Sequence, residues 1–447
     1  MSFSIPQDSP IRHQTFTYGL ATAAFQIEGC IHQDDRVDSI WDSFCRQPGR
    51  VLNGDTGEPA CQHYIKWEED LDLLQAMGVD AYRLSIAWPR IQPKRGEINE
   101  KGLAFYEALI DGLLARGIKP FVTLYHWDLP DYLEQKGGWL NRETAYAFAE
   151  YAEIVVSRLK SKVSAWATFN EPYCSAFLGY QVGVHAPGFQ NPSWAYTAGH
   201  HILLAHGLAL PIIRKHDPDS EVGIVMNFTP SYPSSDAQKD LEAAKEVDIL
   251  NVYWFIEPLL KGEYVEGYFD QHPQLMPVIF PGDMDLIKQP NDFIGVNFYS
   301  RQVVRAGENA PEIVKQTGNE HTHIGWEVYP DALKYLLTTL HKAYANLPPL
   351  YITENGMAGD DHLDVDSAVN DHQRVHYLER HLSAVGEAMK EGVDVRGYFA
   401  WSLMDNFEWA YGYSQRFGLV YVNYETQERT VKLSGQYYSQ WIKAIKG

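Results

Sequence analysis

Disulfide chemistry has little to work with in this chain: its 447 residues include four cysteines, Cys30, Cys45, Cys61 and Cys174. They form no CxxC pair and no zinc-ligand spacing, so free thiols in a reducing compartment are expected, although one bridge stays compatible with the sequence. A chain this long buries enough surface to fold without bridges or a structural metal. Long apolar runs are also missing, and no stretch reaches the roughly 20 residues of a membrane span. Met1 to Tyr18 has no basic start and no apolar run, and Pro6 and Pro10 interrupt it. A secretion signal is therefore not expected, and a cytoplasmic location is. Positive charge is the third shortage, with 37 Lys and Arg against 58 Asp and Glu and a net charge of −21. A field of that sign repels phosphate backbones and anionic membranes, which argues against nucleic-acid and membrane partners. The signatures GxSxG, P-loop and a helix-opening GxGxxG are absent too.

Aromatic residues are plentiful, at 13% with 12 Trp and 28 Tyr. Flat apolar faces with a hydrogen-bonding edge suit a sugar ring, though large barrels hold many aromatics for packing alone. The chain has no linker, repeat or low-complexity segment, so residues 1–447 read as one domain. Short apolar runs alternate with longer amphipathic stretches, the pattern of βα units around a parallel sheet. The strand candidates are Tyr18–Phe25, Val79–Ile86, Lys119–His126, Val163–Asn170, Glu221–Asn227, Phe293–Ser300, Leu350–Asn355 and Arg396–Leu403. Helix-like stretches between them include Trp67–Met77, Leu103–Arg116, Arg142–Leu159 and Pro330–Ala345. Gly78 and Gly117 stand where a helix should stop before a strand. Eight such units predict an α/β fold of the (β/α)₈ TIM-barrel class, a single domain with enlarged βα loops.

Several strand candidates end in polar, acidic or aromatic residues: Tyr125-His126, Phe169-Asn170-Glu171, Asn297-Phe298-Tyr299, Thr353-Glu354-Asn355 and Trp401. In a parallel barrel these ends share one rim, where active sites are built. Pro172 cannot extend a strand ladder, so the chain should turn there and leave Glu171 facing the rim. Gly356 is expected to permit the change of backbone direction after Glu354. An isolated glutamate after a strand is more often a plain surface carboxylate. Two of them, at the ends of the fourth and seventh strands, match what glycoside cleavage requires: one proton donor and one anion flanking the sugar.

With these motifs on the page, the sequence resembles glycoside hydrolase family one, and within it the bacterial β-glucosidases. The resemblance runs from Tyr18 to Trp441 and rests on six ordered segments: Ala21–Gly29, Tyr82–Arg90, Tyr125–Pro130, Thr168–Pro172, Ile352–Gly356 and Trp401–Trp409. It implies a retaining double displacement, with Glu354 as nucleophile and Glu171 as general acid and base, about 5–5.5 Å apart rather than the 6.5–9.5 Å of inverting pairs. It implies that Arg83 and Tyr299 orient Glu354. Gln26, His126, Asn170, Trp401, Glu408, Trp409 and Phe417 resemble the family's sugar-binding set. Tyr173, His185, Asn227 and Trp326 would face the aglycone. No cofactor or metal is implied, and the partner is a small-molecule β-glucoside or oligosaccharide. An oligomer is compatible with the sequence.

The chain departs from the family pattern in places. Tyr173 and Tyr18 replace more usual tryptophans, and Gln62 replaces a usual aspartate. Family members that cleave 6-phosphoglycosides carry a small residue at the position of Glu408 and a lysine where Ser414 and Gln415 stand here. A carboxylate at 408 repels phosphate, so a neutral sugar is expected. The alternatives are a 6-phospho-β-glucosidase and a catalytically inactive sugar-binding protein. His321-Thr322-His323 spells the HxH of some metal-dependent barrel hydrolases, but it follows the sixth strand rather than the first and is not read as a metal site. Asn227-Phe228-Thr229 matches a glycosylation acceptor but ends a barrel strand, which argues against that use.

Overall fold

The computed structural model describes residues 3–447. Eight parallel strands close into a barrel: β1 (Thr17–Ala21), β2 (Ala81–Ser85), β3 (Lys119–Tyr125), β4 (Ala165–Asn170), β5 (Glu221–Phe228), β6 (Phe293–Phe298), β7 (Leu350–Asn355) and β8 (Val395–Trp401). The main helices alternate with them: α1 (His63–Met77), α2 (Glu100–Ala115), α3 (Glu143–Leu159), α4 (Pro192–His216), α5 (Gln238–Asp248), α6 (Asp331–Ala343), α7 (His372–Lys390) and α8 (Leu433–Lys446). This is the (β/α)₈ architecture expected from the sequence.

The apolar strand runs form because the sheet is packed on both faces. Inside the barrel, small residues such as Ala21, Ala81, Ala165 and Ala167 make room for Phe121, Phe293, Tyr351 and Phe399. At Gly19 the fit is closest, since a Cβ there would sit 2.3 Å from the Phe399 ring. The seam between β1 and β8 is pinned from outside by α8, where the Tyr438 hydroxyl lies 3.0 Å from the Gly19 carbonyl and 3.2 Å from that of Tyr398.

Several expected boundaries move. The first strand stops at Ala21, and Phe25 and Gln26 belong instead to a short buried helix, Ala24–Ile27. A run of small and apolar residues reads the same as strand or buried helix, so its end was not visible. The last strand stops at Trp401 rather than Leu403. The first helix starts at His63, four residues before Trp67, after Gln62 takes a left-handed conformation. Gly78 caps it with φ near 76° and donates its N–H to the carbonyls of Leu74 and Gln75. All four cysteines are buried and free.

Tyr18 lies at the foot of the barrel, donating its hydroxyl to the Ile11 carbonyl at 2.6 Å and packing beside Trp441. Its replacement of tryptophan is thus a packing matter. Nothing in the structure explains Gln62 beyond its turn.

Candidate active site

The strand ends converge on one cavity of about 750 Å³. Of the candidate catalytic, orienting, sugar-contacting and aglycone residues, Gln26, Arg83 and Asn170 lie behind its wall and the others line it.

Glu354, near the end of β7, is 3% exposed, with each carboxylate oxygen held by a donor. Arg83 on β2 donates to Oε1 at 2.6 Å, and the Tyr299 hydroxyl just beyond β6 donates to Oε2 at 2.6 Å. Arg83 has a second task, donating to Oδ1 of Asn170 at 2.7 Å. That oxygen also accepts from Asn297 at 3.0 Å. With its carbonyl oxygen fixed by two donors, the Asn170 amide must turn its NH₂ the other way, towards His126 Nε2 at 3.1 Å.

Glu171 follows β4 with a left-handed φ of 48°, a conformation costly for any residue with a side chain. Trp127 and Trp409 in the same cavity are also left-handed, at φ 77° and 50°. The Glu171 carboxyl accepts from Asn297 Nδ2 at 2.8 Å on Oε1 and from the Cys174 thiol at 3.1 Å on Oε2. Burial first, and then the charge of Glu354, push its pKa up to about 7. The two glutamates therefore sit in opposite settings: one gripped by a cation and a phenol, the other buried, facing a like charge and provided with weaker donors. Such divergence is how two carboxyls divide acid and base work.

Around them stands the remainder of the set. Trp401, Trp409 and His126 form a parallel array, the imidazole stacked 5.9 Å and 6.1 Å from the two indoles. Gln26 donates to Asn406 Oδ1 and to the Phe407 carbonyl, which leaves its buried Oε1 without a protein partner. Glu408 Oε2 and His126 Nδ1 are likewise buried and unpartnered. Buried polar atoms are normally bonded, so three of them around one aromatic floor mark a place for hydroxyl groups. Burial, then the charges of Glu354 and Glu171, raise the Glu408 carboxyl to about 8. Burial, aided by Arg83, lowers the His126 imidazole, which is neutral at pH 7.

Towards the mouth, Trp326 leans on Tyr299 and Phe417 at 5.2 Å and 6.0 Å. The neighbouring Glu327 is clamped by Arg301 at 2.9 Å and 3.1 Å, and that guanidinium lies over Tyr329. Tyr173 stacks on Phe177, and His185 packs between Trp41 and Trp127. Asn227 joins the wall from β5.

Arg416, the cation nearest the expected phosphate lysine, is committed elsewhere. It pairs with Asp405 at 2.6 Å and lies over the rings of Tyr421 and Tyr424. Asp405 belongs to a buried ionic cluster in which Lys432, fully buried, bridges Asp405 at 2.5 Å and Asp361 at 2.6 Å. Arg374 joins Asp361 at 2.7 Å and pairs with Asp371. This cluster ties the loop after β7 to the loop that carries Glu408 and Trp409.

One expectation is corrected. Gly356 does not turn the chain through a special conformation; its φ is not in the left-handed range, and it is glycine because a Cβ would stand 1.8 Å from the Trp401 carbonyl oxygen. Sequence reasoning named Asn297 only among the polar strand ends and Cys174 only among the thiols, and linked neither to Glu171, whose two donors they are. Asn297 carried a signal, being an amide between Val296 and Phe298 in a buried strand, where it must have partners. Cys174 carried none.

Residues 10–446 match the profile described as Glycosyl hydrolase family 1. The chain is 48% identical to a β-glucosidase of Agrobacterium sp. over 432 residues, covering 95% of this chain and 94% of that protein. It is 44% identical to a bifunctional β-D-glucosidase/β-D-fucosidase of Bifidobacterium breve, covering 96% and 97%. The solved family 1 β-glucosidase of Thermotoga maritima superposes with a TM-score of 0.94 at 43% identity, over 97% of this chain and 98% of that one. The barrel, the paired carboxyls at its rim and these full-length likenesses agree: the chain is a glycoside hydrolase and belongs to glycosyl hydrolase family 1.

Proposed function

We propose that the protein is a retaining, exo-acting β-glucosidase, with residues 1–447 forming one catalytic unit, Glu354 as nucleophile and Glu171 as general acid and base. The observation that carries this is the contrast between the two carboxyls within one cavity. Arg83 and Tyr299 hold Glu354 with one donor on each carboxylate oxygen, while burial and the charge of Glu354 raise the Glu171 carboxyl to about 7. Glu354 attacks the anomeric carbon as Glu171 protonates the departing oxygen. The resulting ester removes the charge beside Glu171, which then ionises and takes a proton from the water that releases the sugar. Asn170, its carbonyl oxygen fixed by Arg83 and Asn297, binds the 2-hydroxyl in this reading, a hydrogen bond that strengthens in the transition state.

Gln26, His126, Glu408 and Trp409 bind the remaining hydroxyls, and Trp401 with Phe417 supplies the apolar floor and wall. The substrates are terminal β-D-glucosyl units of β-1,4- or β-1,3-linked gluco-oligosaccharides and aryl β-glucosides. β-Galactosides and β-fucosides are side substrates, a reading supported for fucosides by the Bifidobacterium relative. Tyr173, His185, Asn227 and Trp326 contact the aglycone. A neutral sugar is favoured over a 6-phosphosugar because Glu408 stands in the cavity where the phosphate-accepting members of the family carry a small residue, and Arg416 is held by Asp405. No step requires a metal or cofactor.

The enzyme finishes the breakdown of cellulose-derived oligosaccharides in the cytoplasm; among the described residues no helix is long and apolar enough to cross a membrane. Glu354→Gly tests the assignment: turnover of an aryl β-glucoside should nearly vanish and azide should partly restore it through an α-linked product. Turnover equal to the parent would remove the mechanism, and a parent that turns over nothing would revive a binding role. A set of kcat/KM values for cellobiose, laminaribiose, lactose and cellobiose phosphate decides between neutral and phosphorylated substrates.

A further inference from the structure

We infer that Cys174 is a positioning residue for the acid/base, its thiol donating a hydrogen bond that adjusts how readily Glu171 gives up and regains its proton. The inference rests on the assignment of Glu171 as acid/base.

The protein offers the Glu171 carboxyl two donors, and they differ in kind. Asn297 reaches Oε1 at 2.8 Å, and it cannot swing away because its own Oδ1 accepts from Thr353 Oγ1 at 2.7 Å while its NH₂ also serves Asn170. It is a fixed donor. Cys174 reaches Oε2 at 3.1 Å, and its S–H turns about a single bond. The thiol is buried in the cavity wall three residues along the chain from Glu171, in the helical turn that Pro172 begins.

Burial and the adjacent carboxylates push the thiol's own pKa far up, so it keeps its proton throughout the cycle and acts as a donor, never as a nucleophile. The other charged or titratable groups around Glu171 are Glu354 with its two donors, Arg83 and Tyr299, together with Glu408. None of these donates to Oε2.

A donor that can turn suits a group that alternates between acid and base. When Glu171 is the acid, the proton it must deliver occupies one oxygen and the thiol loses its acceptor or rotates. When Glu171 is the anion of the second step, both oxygens accept, one from Asn297 and one from the thiol. The S–H bond therefore favours the anion more than the acid. Because a thiol is a weak donor, it does so without pulling the proton off before the glycosidic oxygen is in place. A hydroxyl can replace this action; a methyl group cannot.

The test compares pH profiles of kcat/KM for p-nitrophenyl β-glucoside in Cys174→Ala, Cys174→Ser, Glu171→Ala and the parent, with thermal melts to confirm folding. The alkaline limb reports the acid/base of the free enzyme. Cys174→Ala is expected to move that limb upward by about 0.5–1 pH unit, the effect of losing one weak bond to a charged group. Cys174→Ser should keep it within about 0.3 unit of the parent, because the donor is retained. A folded Cys174→Ala whose limb does not move, or moves down, overturns the inference. Equal upward shifts in both variants also overturn it, since volume and not hydrogen bonding would then be the cause. Glu171→Ala separates the two layers. If it keeps the alkaline limb, the assignment of Glu171 fails; if it loses the limb while Cys174→Ala leaves it in place, only the role of Cys174 fails.

Discussion

Replacing Glu354 with Gln removes one negative charge from the cavity and leaves its volume nearly unchanged. Glu171 then loses the like charge that, after burial, does most to hold its proton. At the separation of about 5.5 Å found in retaining pairs, with an effective dielectric of about 20, one unit charge acts with about 332/(20 × 5.5), or about 3 kcal/mol. That is about 2 pH units. The Glu171 carboxyl, at about 7 beside Glu354, is expected to titrate at about 5 in Glu354→Gln. It stays above an exposed glutamate because burial, the larger cause, remains. Carbon NMR of protein labelled at the glutamate carboxyls reads this directly, with the resonance assigned by its loss in Glu171→Gln. The same fall should accompany trapping of the sugar on Glu354 by a 2-fluoroglucoside. A change under about 0.5 unit in both samples would mean that Glu354 does not act on Glu171, and the division of labour between them would fall.

Tyr299→Phe keeps the ring against Trp326 and Phe417 but deletes the 2.6 Å bond to Glu354. A bond to a charged group is worth about 1.5–3 kcal/mol, so kcat/KM should fall about 10- to 150-fold; a loss of twofold or less refutes the orienting role. Glu408 lies at about 8 in the folded chain against a usual 4.5, so the stability it contributes is complete below about pH 4.5 and is lost as pH rises through 8. Glu408→Gln escapes that loss, and its Tm relative to the parent should rise between pH 5 and pH 8 while kcat/KM drops; a Tm difference independent of pH counts against the burial argument. Lys432→Met leaves Asp361 and Asp405 buried without their shared cation. Breaking a buried pair in this way costs about 3–5 kcal/mol, so the melting temperature should fall by several degrees, and an unchanged melt would mean that the cluster is not paired as described.

The barrel was legible because its strands are apolar on both faces and its helices are not, so the alternation survives in the sequence even where the ends do not. Ala24–Ile27 shows the limit: Ala-Phe-Gln-Ile after a strand reads as more strand, and only packing shows that it coils to bring Gln26 under the site. Pro211 lies inside α4, where a proline would ordinarily argue for a break. The glutamates were legible because a strand end, a Pro172 and a Gly356 frame them, although the reason for Gly356 is the approach of Trp401. The donors to Glu171 were not, since Asn297 and Cys174 reach it from β6 and from the turn after β4. Contacts across strands leave no trace in local periodicity.

Lys432 and Tyr438 lie far along the chain from β1, yet the first neutralises Asp361 and Asp405 in the loops after β7 and β8 and the second fastens the first strand to the eighth. Glu171 and Glu354 both precede these anchors in the chain, so the rim that holds them depends on contacts made much later in the sequence. Truncation ahead of Lys432 is therefore expected to unbrace the rim although it removes no residue of the cavity itself.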